Sequence, residues 1–262
     1  MQFIKEKQNR VFIFLAAFFL TNAVVAEFMG VKIFSLEDTF GWSKHTFHLF
    51  GQDITGFSLT CGVILWPFVF VFTDIINEYF GTRGVRFLSF IAAAMIAYTY
   101  LMLNLAIHVA PADWWIHTSQ YGPDFDFSHA YNAVFGQGNN IIVGSLIAFM
   151  IGQITDVYIF HWVKKRTGEK YIWLRSTGST FISQFVDSYV VLFYAFYFAY
   201  RGTNQQWPLK LVLAVGTVNY IYKFIMAFAL TPLIYVIHGA IERYLGHDLA
   251  KRLKDEAARA DD

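Results

Sequence analysis

The groups best able to do chemistry in this 262-residue chain are acids, amides and one lysine embedded in long apolar runs. Asn22 and Glu27 lie in the first run, and Asp74, Asn77 and Glu78 in the second. Gln153 and Asp156 follow in the fourth run, Ser183, Gln184 and Asp187 in the fifth, and Asn219 and Lys223 in the sixth. Asp74, Asn77 and Glu78 are three and four residues apart and share one helix face, as do Gln153 with Asp156 and Gln184 with Asp187. A charge at the centre of a bilayer costs about 2.5–3.5 kcal/mol, so residues of this kind usually mark a pathway or a paired interior. The plainer account is glue between helices, at about 0.6 kcal/mol per contact. Asn22, Ser183 and Asn219 need be no more than that, and Asp74 and Glu78 would then lie at an interface close to Arg83. Asp187 and Lys223 are different: each sits mid-run with apolar sequence on both sides, and as an ion pair each would relieve the cost of burying the other alone.

Other chemistries are poorly served. No His-Glu-x-x-His or Gly-x-Ser-x-Gly pattern occurs, and the eight histidines fall mainly in loops or at helix ends, so an enzyme is not expected. Cys61 is the single cysteine, which excludes an internal disulfide framework and a zinc cluster, and no metal or other cofactor is implied. No basic stripe interleaves with exposed aromatics, so nucleic acid is not an expected partner. What is left is a polar cavity lined by helices one, two, four, five and six. Without a large soluble domain, that points to passage of a small-molecule solute through membrane lipid.

The elements that must hold this cavity follow from composition. Hydrophobic residues make up 56% of the chain and charged residues 15%, against about 25% charged in a soluble domain, and the mean hydropathy is +0.42. A span needs roughly 20 mostly apolar residues. Six are expected: Val11–Ile33, Ile54–Asn77, Phe87–Val109, Asn139–Trp162, Thr177–Tyr200 and Leu209–Tyr244, the last longer than a bilayer requires. The fold class is therefore all-α and polytopic, with residues 1–245 as the transmembrane domain and 246–262 as a charged cytoplasmic tail. Lys and Arg set the orientation. Fifteen of them cluster at the N-terminus, after spans two and four, and in the tail, against four (Lys32, Lys44, Arg201 and Lys210) in the other loops. Both termini are thus expected in the cytoplasm.

A rival treats Lys5, Lys7 and Arg10, the apolar run and Val24-Val25-Ala26 as a cleavable secretory signal; the length of the run and the interior Asn22 and Glu27 favour a retained helix. The loop over residues 110–138, with Trp114, Trp115, Tyr121, Phe125, Phe127 and Tyr131, is expected to lie at the interface as an aromatic anchor, with a lid as the alternative. Gln-x-x-Asp recurs in spans four and five, and Thr73-Asp74 parallels Thr155-Asp156, which raises a repeat of three plus three spans. A homodimer stays open, since no span carries a clean Gly-x-x-x-Gly face.

From Ala130 the chain reads AYNAVFGQGNNIIVGSLIAFMIGQITDVYIFHWVKKRTGEKYIWLRSTGSTFISQFVDSYVVLFYAF, and at span two TDIINEYFGTRGVR. These stretches resemble the queuosine-precursor transporter family, formerly described as vitamin-uptake transporters, over most of Asn22 to Asn219. The most specific matches are Leu174 to Thr180, Ser183-Gln184, Asp187-Ser188, and Asp74 with Asn77-Glu78. The resemblance implies import of 7-deazaguanine bases (7-cyano- or 7-aminomethyl-7-deazaguanine, or queuine) across the plasma (inner) membrane for salvage into transfer RNA. The side chains suit such a base. Asp187 or Glu27 can accept its paired N–H donors in a fork, while Gln184, Gln153 or Lys223 can donate to its carbonyl. Phe185 and Tyr189 offer ring faces. Asp74, Asn77, Glu78 and Asp156 would gate or carry protons, with Arg175 pairing as an inner gate. Two alternatives are a substrate-binding membrane subunit of an energy-coupling-factor vitamin importer, docking through Ala16, Ala17, Ala23 and Ala26, and a carrier of another base or vitamin.

Overall fold

The computed structural model describes residues 5–117, 122, 125–136, 139–167 and 172–260. Helix α1 (Lys7–Met29) is apolar along nearly its whole length and buries Leu15, Phe19 and Ala23 in the main core. It stops at Gly30, whose N–H donates back to the Ala26 carbonyl.

The chain next builds a small β layer. Strand β1 (Ile33–Ser35) pairs antiparallel with β4 (Ser58–Thr60), and β2 (Thr46–Leu49) with β3 (Gln52–Thr55). Phe50 and Gly51 link β2 to β3 with φ of 53° and 75°, the left-handed pair that matches the twist of a two-residue hairpin. A short helix, α2 (Leu36–Phe40), starts where the Ser35 hydroxyl accepts the Asp38 N–H. Glu37, buried, accepts the Phe57 N–H on both carboxylate oxygens at 2.9 Å and so ties α2 to the second half of the layer. On the exposed side Lys44 bonds Asp38 at 2.6 Å; that bond, helped by Ser35, holds the Asp38 carboxyl below the usual range.

This layer corrects the expectation of a helix from Ile54. Residues 52–60 carry β-branched Ile54, Thr55 and Thr60, which suit strands, and Gly56 at φ +71° breaks any helix through them. Helix begins only after a 3-10 turn over Cys61–Ile64, with α3 (Trp66–His108). The second and third expected spans are the two arms of this one 43-residue element, divided at Gly81 with φ 70° and ψ 177°. An L side chain avoids that region, and glycine does not.

Contacts along the arms show that the chain reverses there. Phe72 meets Phe18 and Phe80 meets Phe12, so the first arm runs antiparallel to α1. Trp66 lies level with Phe149 of α6. In the second arm Ser89 reaches Gln153 of α6, and Ile107 comes within contact of Gly136, which precedes α6.

Short helices α4 (Asp113–Ile116) and α5 (Phe127–Gly136) occupy the following loop, where Trp115 packs edge and face against Phe127 and Tyr131; Tyr121 lies outside the described residues. Helices α6 (Asn139–Thr167) and α7 (Ile172–Leu192) then pack tightly, and α7 continues as a π-helical stretch over Phe193–Phe198. Helix α8 (Leu209–Leu245) spans about 55 Å at 1.5 Å per residue and contains Pro232. Finally α9 (His247–Ala260) folds back on α3 and α8, burying Ala250, Leu253 and Ala257 while most of its charges face out. The tail is therefore a packed helix with one apolar face rather than a freely solvated end.

Among the described residues, five stretches are long and apolar enough to cross a membrane: Lys7–Met29, Trp66–His108, Phe127–Ile159, Phe181–Phe198 and Leu209–Leu245. Large apolar side chains face outward along them, among them Phe90, Leu101 and Leu105 on α3 and Phe228 and Val236 on α8. In water such a surface would be untenable at this extent, and in lipid it is the normal exterior. The chain is a multi-pass helical membrane protein.

Candidate functional site

Three helices bring the principal charges together. Helix α7 turns Gln184, Asp187 and Ser188 to one face by their spacing of three and four residues. Across from them α8 supplies Lys223, whose ammonium bonds the Asp187 carboxylate; the two side chains are 8% and 17% exposed. Glu27, near the end of α1, is buried and lies within electrostatic reach of both Asp187 and Lys223. Its carboxylate accepts the Ser145 hydroxyl of α6 at 2.5 Å. Gly152 lies at this contact. A Cβ there would meet Asp187 Cβ at 3.8 Å and the Ser183 carbonyl at 3.9 Å, so α6 lies directly against the charged face of α7.

A second polar tier lies one turn away. Ser183 donates to Asp156 Oδ1 at 3.2 Å, joining α7 to α6, and Ser89 of α3 donates to Gln153 Oε1 at the same distance. Gln153, Asp156, Ser183 and Gln184 are all buried, none more than 4% exposed. Among the described residues, Gln184 Oε1, Gln153 Nε2 and Ser188 Oγ have no hydrogen-bond partner. Buried polar atoms are nearly always satisfied, so groups left over around a buried ion pair are what a site for a polar solute leaves open.

Not every expected residue joins this centre. Asn22 donates to the Phe18 carbonyl of its own helix at 2.8 Å. Tyr189 shares a 2.8 Å hydrogen bond with Thr217 and packs its ring on Gly216 of α8, which holds the two helices close. Phe185 is about half exposed and meets Tyr220 edge-on and Tyr189 at a tilt, on the outward side of the α7–α8 seam. Asp74 and Asn77 are buried and Glu78 is half-buried, all in the first arm of α3. The side chain of Arg175 lies outside the described set. Asn219 sits one turn from Lys223 on α8, with Oδ1 buried. No group of three or more His, Cys, Asp or Glu that could hold a metal occurs among the described residues.

Several participants escape a reading of the sequence. Ser145 and Ser89 are small hydroxyls in apolar helices, and only their neighbours make them partners of Glu27 and Gln153. Ser89 also gives the third expected span, which is not among the expected cavity-lining helices, a polar contact. At the other end of the bundle, Tyr79 OH meets His238 Nδ1 at 3.1 Å. There Lys254 of α9 bonds Glu242 at 2.5 Å and stands 5.2 Å over the Tyr79 ring.

Comparison with known proteins places this geometry. A family described as "Putative vitamin uptake transporter" matches residues 60–237. A probable queuosine precursor transporter of Bacillus subtilis is 26% identical over 187 residues, covering 70% of this chain and 73% of that protein. One of Haemophilus influenzae is 26% identical over 191 residues, covering 72% of each. The queuosine precursor transporter of Escherichia coli is 25% identical over 178 residues, covering 67% and 70%. No solved structure matches the chain. With both its matched length and its relatives pointing one way, the chain belongs to the vitamin uptake transporter family, alongside the queuosine precursor transporters of these bacteria.

Proposed function

We propose that this protein imports queuosine precursors, the 7-deazaguanine bases, across the plasma membrane by alternating access around the Asp187–Lys223 pair. The observation that carries this reading is the buried pair itself, flanked by Glu27 and by the open polar atoms of Gln184 and Ser188. A buried carboxylate already desolvated can exchange its ammonium partner for the adjacent N–H donors of a deazaguanine, a fork that matches both oxygens. Lys223 and Gln184 can then turn to the carbonyl of the base. Asp156 and the Asp74–Asn77–Glu78 face are assigned to gating or proton passage.

Six crossings fit this mechanism. The 3-10 turn and the first arm of α3 together cover about 30 Å at their usual rises, enough for one crossing before the reversal at Gly81. Placing both termini in the cytoplasm then agrees with the fifteen clustered basic residues, and it puts the β layer outside.

The test is uptake of labelled 7-cyano-7-deazaguanine into cells unable to synthesise queuosine, with transfer-RNA queuosine as readout. Rescue by the wild type, lost in Asp187→Asn at equal membrane abundance, is the expected outcome. No rescue by well-expressed wild type would reject the substrate, and rescue undiminished in Asp187→Asn would reject the site.

A further inference from the structure

A cavity of about 170 Å³ lies beside the charged centre, between the β layer, the π-helical stretch and α8. It is below the about 300–1,000 Å³ typical of sites for drug-sized ligands, a size for a solute of one or two fused rings. Three features make it more than a packing gap. First, Asn219 lines it, and the buried Oδ1 of this side chain, one rotamer change from the cavity, has no hydrogen-bond partner among the described residues. Secondly, its wall carries Phe196 and Trp207, stacked with centroids 4.1 Å apart and planes 18° apart. The backbone keeps that stack in place, because the Trp207 N–H donates to the Phe196 carbonyl at 2.9 Å. A π-helical turn shifts the ordinary bonding pattern and recurs at functional sites; here it precedes the loop that brings Trp207 back. Thirdly, Ser58 and Thr60 of β4 also line it, two hydroxyl-bearing residues in a mostly apolar lining.

The cavity is also in line with the centre. Asn219 is four residues from Lys223, on the same helix face and about 6 Å along the axis. We infer that this cavity is an outer docking subsite for a flat heteroaromatic base. The base lies against the Phe196–Trp207 pair, gives an N–H to Asn219 Oδ1, and passes on to the Asp187–Lys223 pair one turn below. An amide is suited to this step, since it accepts from a ring N–H and donates to a ring carbonyl or nitrogen, and it binds without charge, so release inward is easy. The inference rests on the transport reading above and adds to it a first stop with its own residues.

The experiment is equilibrium binding of 7-cyano-7-deazaguanine to the full chain in lipid nanodiscs, followed by tryptophan fluorescence. The wild type is compared with Asp187→Asn, and with Asn219→Leu and Val215→Phe placed on the Asp187→Asn background. Asp187→Asn alone should retain binding with quenched fluorescence, because the outer subsite is intact. Adding Asn219→Leu should weaken that residual binding about tenfold, the effect of removing one buried acceptor. Val215→Phe, which fills the cavity from α8, should abolish it with no polar group removed. Residual binding that neither change touches would overturn the subsite while leaving transport standing. Absence of residual binding in Asp187→Asn, with the wild type binding normally, would also overturn it. If the wild type itself does not bind the base, the transport reading fails and the subsite with it.

Discussion

Lys223→Met is the perturbation whose consequence the structure sets most firmly. It removes the ammonium from a carboxylate only 17% exposed, and leaves Asp187 facing α6 and α8 with no counter-charge in bonding distance among the described residues. Two independent routes give the size of the penalty. Breaking a buried ion pair by deleting one partner costs about 3–5 kcal/mol. Placing a lone carboxylate in mid-membrane costs about 2.5–3.5 kcal/mol. Both meet near 3 kcal/mol, and Asp187→Asn, which strands the lysine, should fall in the same range. The double variant Asp187→Asn with Lys223→Met strands nothing, because an amide and a thioether replace both charges. Its loss should be no more than about 1 kcal/mol, in keeping with the near-neutral replacement of whole buried pairs. Unfolding in mixed micelles, followed through the seven tryptophans, supplies all four corners of the cycle. Two single variants within about 0.5 kcal/mol of wild type, or a double variant equal to the sum of the singles, would refute the pairing. Uptake should separate from stability: the double variant folds yet transports no better than Asp187→Asn, since the exchangeable partner is gone.

Glu27→Gln keeps an acceptor for the Ser145 hydroxyl but replaces the carboxyl beside Asp187 and Lys223 with an amide, which can neither exchange a proton nor accept paired N–H donors on two oxygens, so uptake should drop by about tenfold with little change in melting. Gly62→Val should cost at least about 1–3 kcal/mol in the same unfolding assay, because a Cβ there would lie 2.6 Å from the Ala26 carbonyl oxygen, a backbone atom that cannot swing aside. Leu253→Ala should cost about 2 kcal/mol, and hydrogen exchange should rise along α9 before anywhere else. Asp38 should titrate below the usual carboxylate range because Lys44 and Ser35 bond it, and Lys44→Ala should bring its carboxyl resonance back up. The sign follows: the Asp38–Lys44 contribution is present above the ordinary carboxylate pKa and fades as pH falls through the depressed one.

Much of this was legible because hydrocarbon imposes few solutions. Long apolar runs must be helices, and an acid and a lysine in mid-run must find each other or a neutral state; Asp187 and Lys223 did, across α7 and α8. Same-face spacing places Gln184 beside Asp187 on α7 and Gln153 beside Asp156 on α6. Where the sequence misled, a local rule had a tertiary competitor. Ile54 to Cys61 is apolar enough to extend a span, but Glu37, twenty residues upstream, captures the Phe57 N–H and fixes strands instead. Phe185 and Asn22 look as suitable as their neighbours, yet helix rotation turns one toward the exterior and lets the other bond its own backbone. Ser145, Ser89 and His238 carry no signal of their own, since a hydroxyl or imidazole becomes a partner only when packing decides what stands opposite.

Two departures from regular helix adjoin the proposed transport site. Within a bilayer, non-helical backbone is tolerable only when protein or a polar cavity covers it. The 3-10 turn at Cys61–Ile64 meets this condition by lying on α1, with Gly62 against the Ala26 carbonyl, one residue before Glu27. The π-helical stretch meets it through Trp207, which accepts the stack of Phe196 and donates its N–H to the same residue. These two irregular segments adjoin the ends of α1 and α7 that carry Glu27 and Asp187, and between them lies the cavity that Asn219 lines. Had irregularity been a matter of weak helix formers alone, it would follow glycine wherever glycine occurs. Yet Gly144 and Gly216 sit inside unbroken helices, where they admit close neighbours instead. These two breaks therefore adjoin the helix ends that carry Glu27 and Asp187, and under the proposed transport mechanism the segments beside Glu27 and Trp207 are the first places to look for motion between outward and inward states.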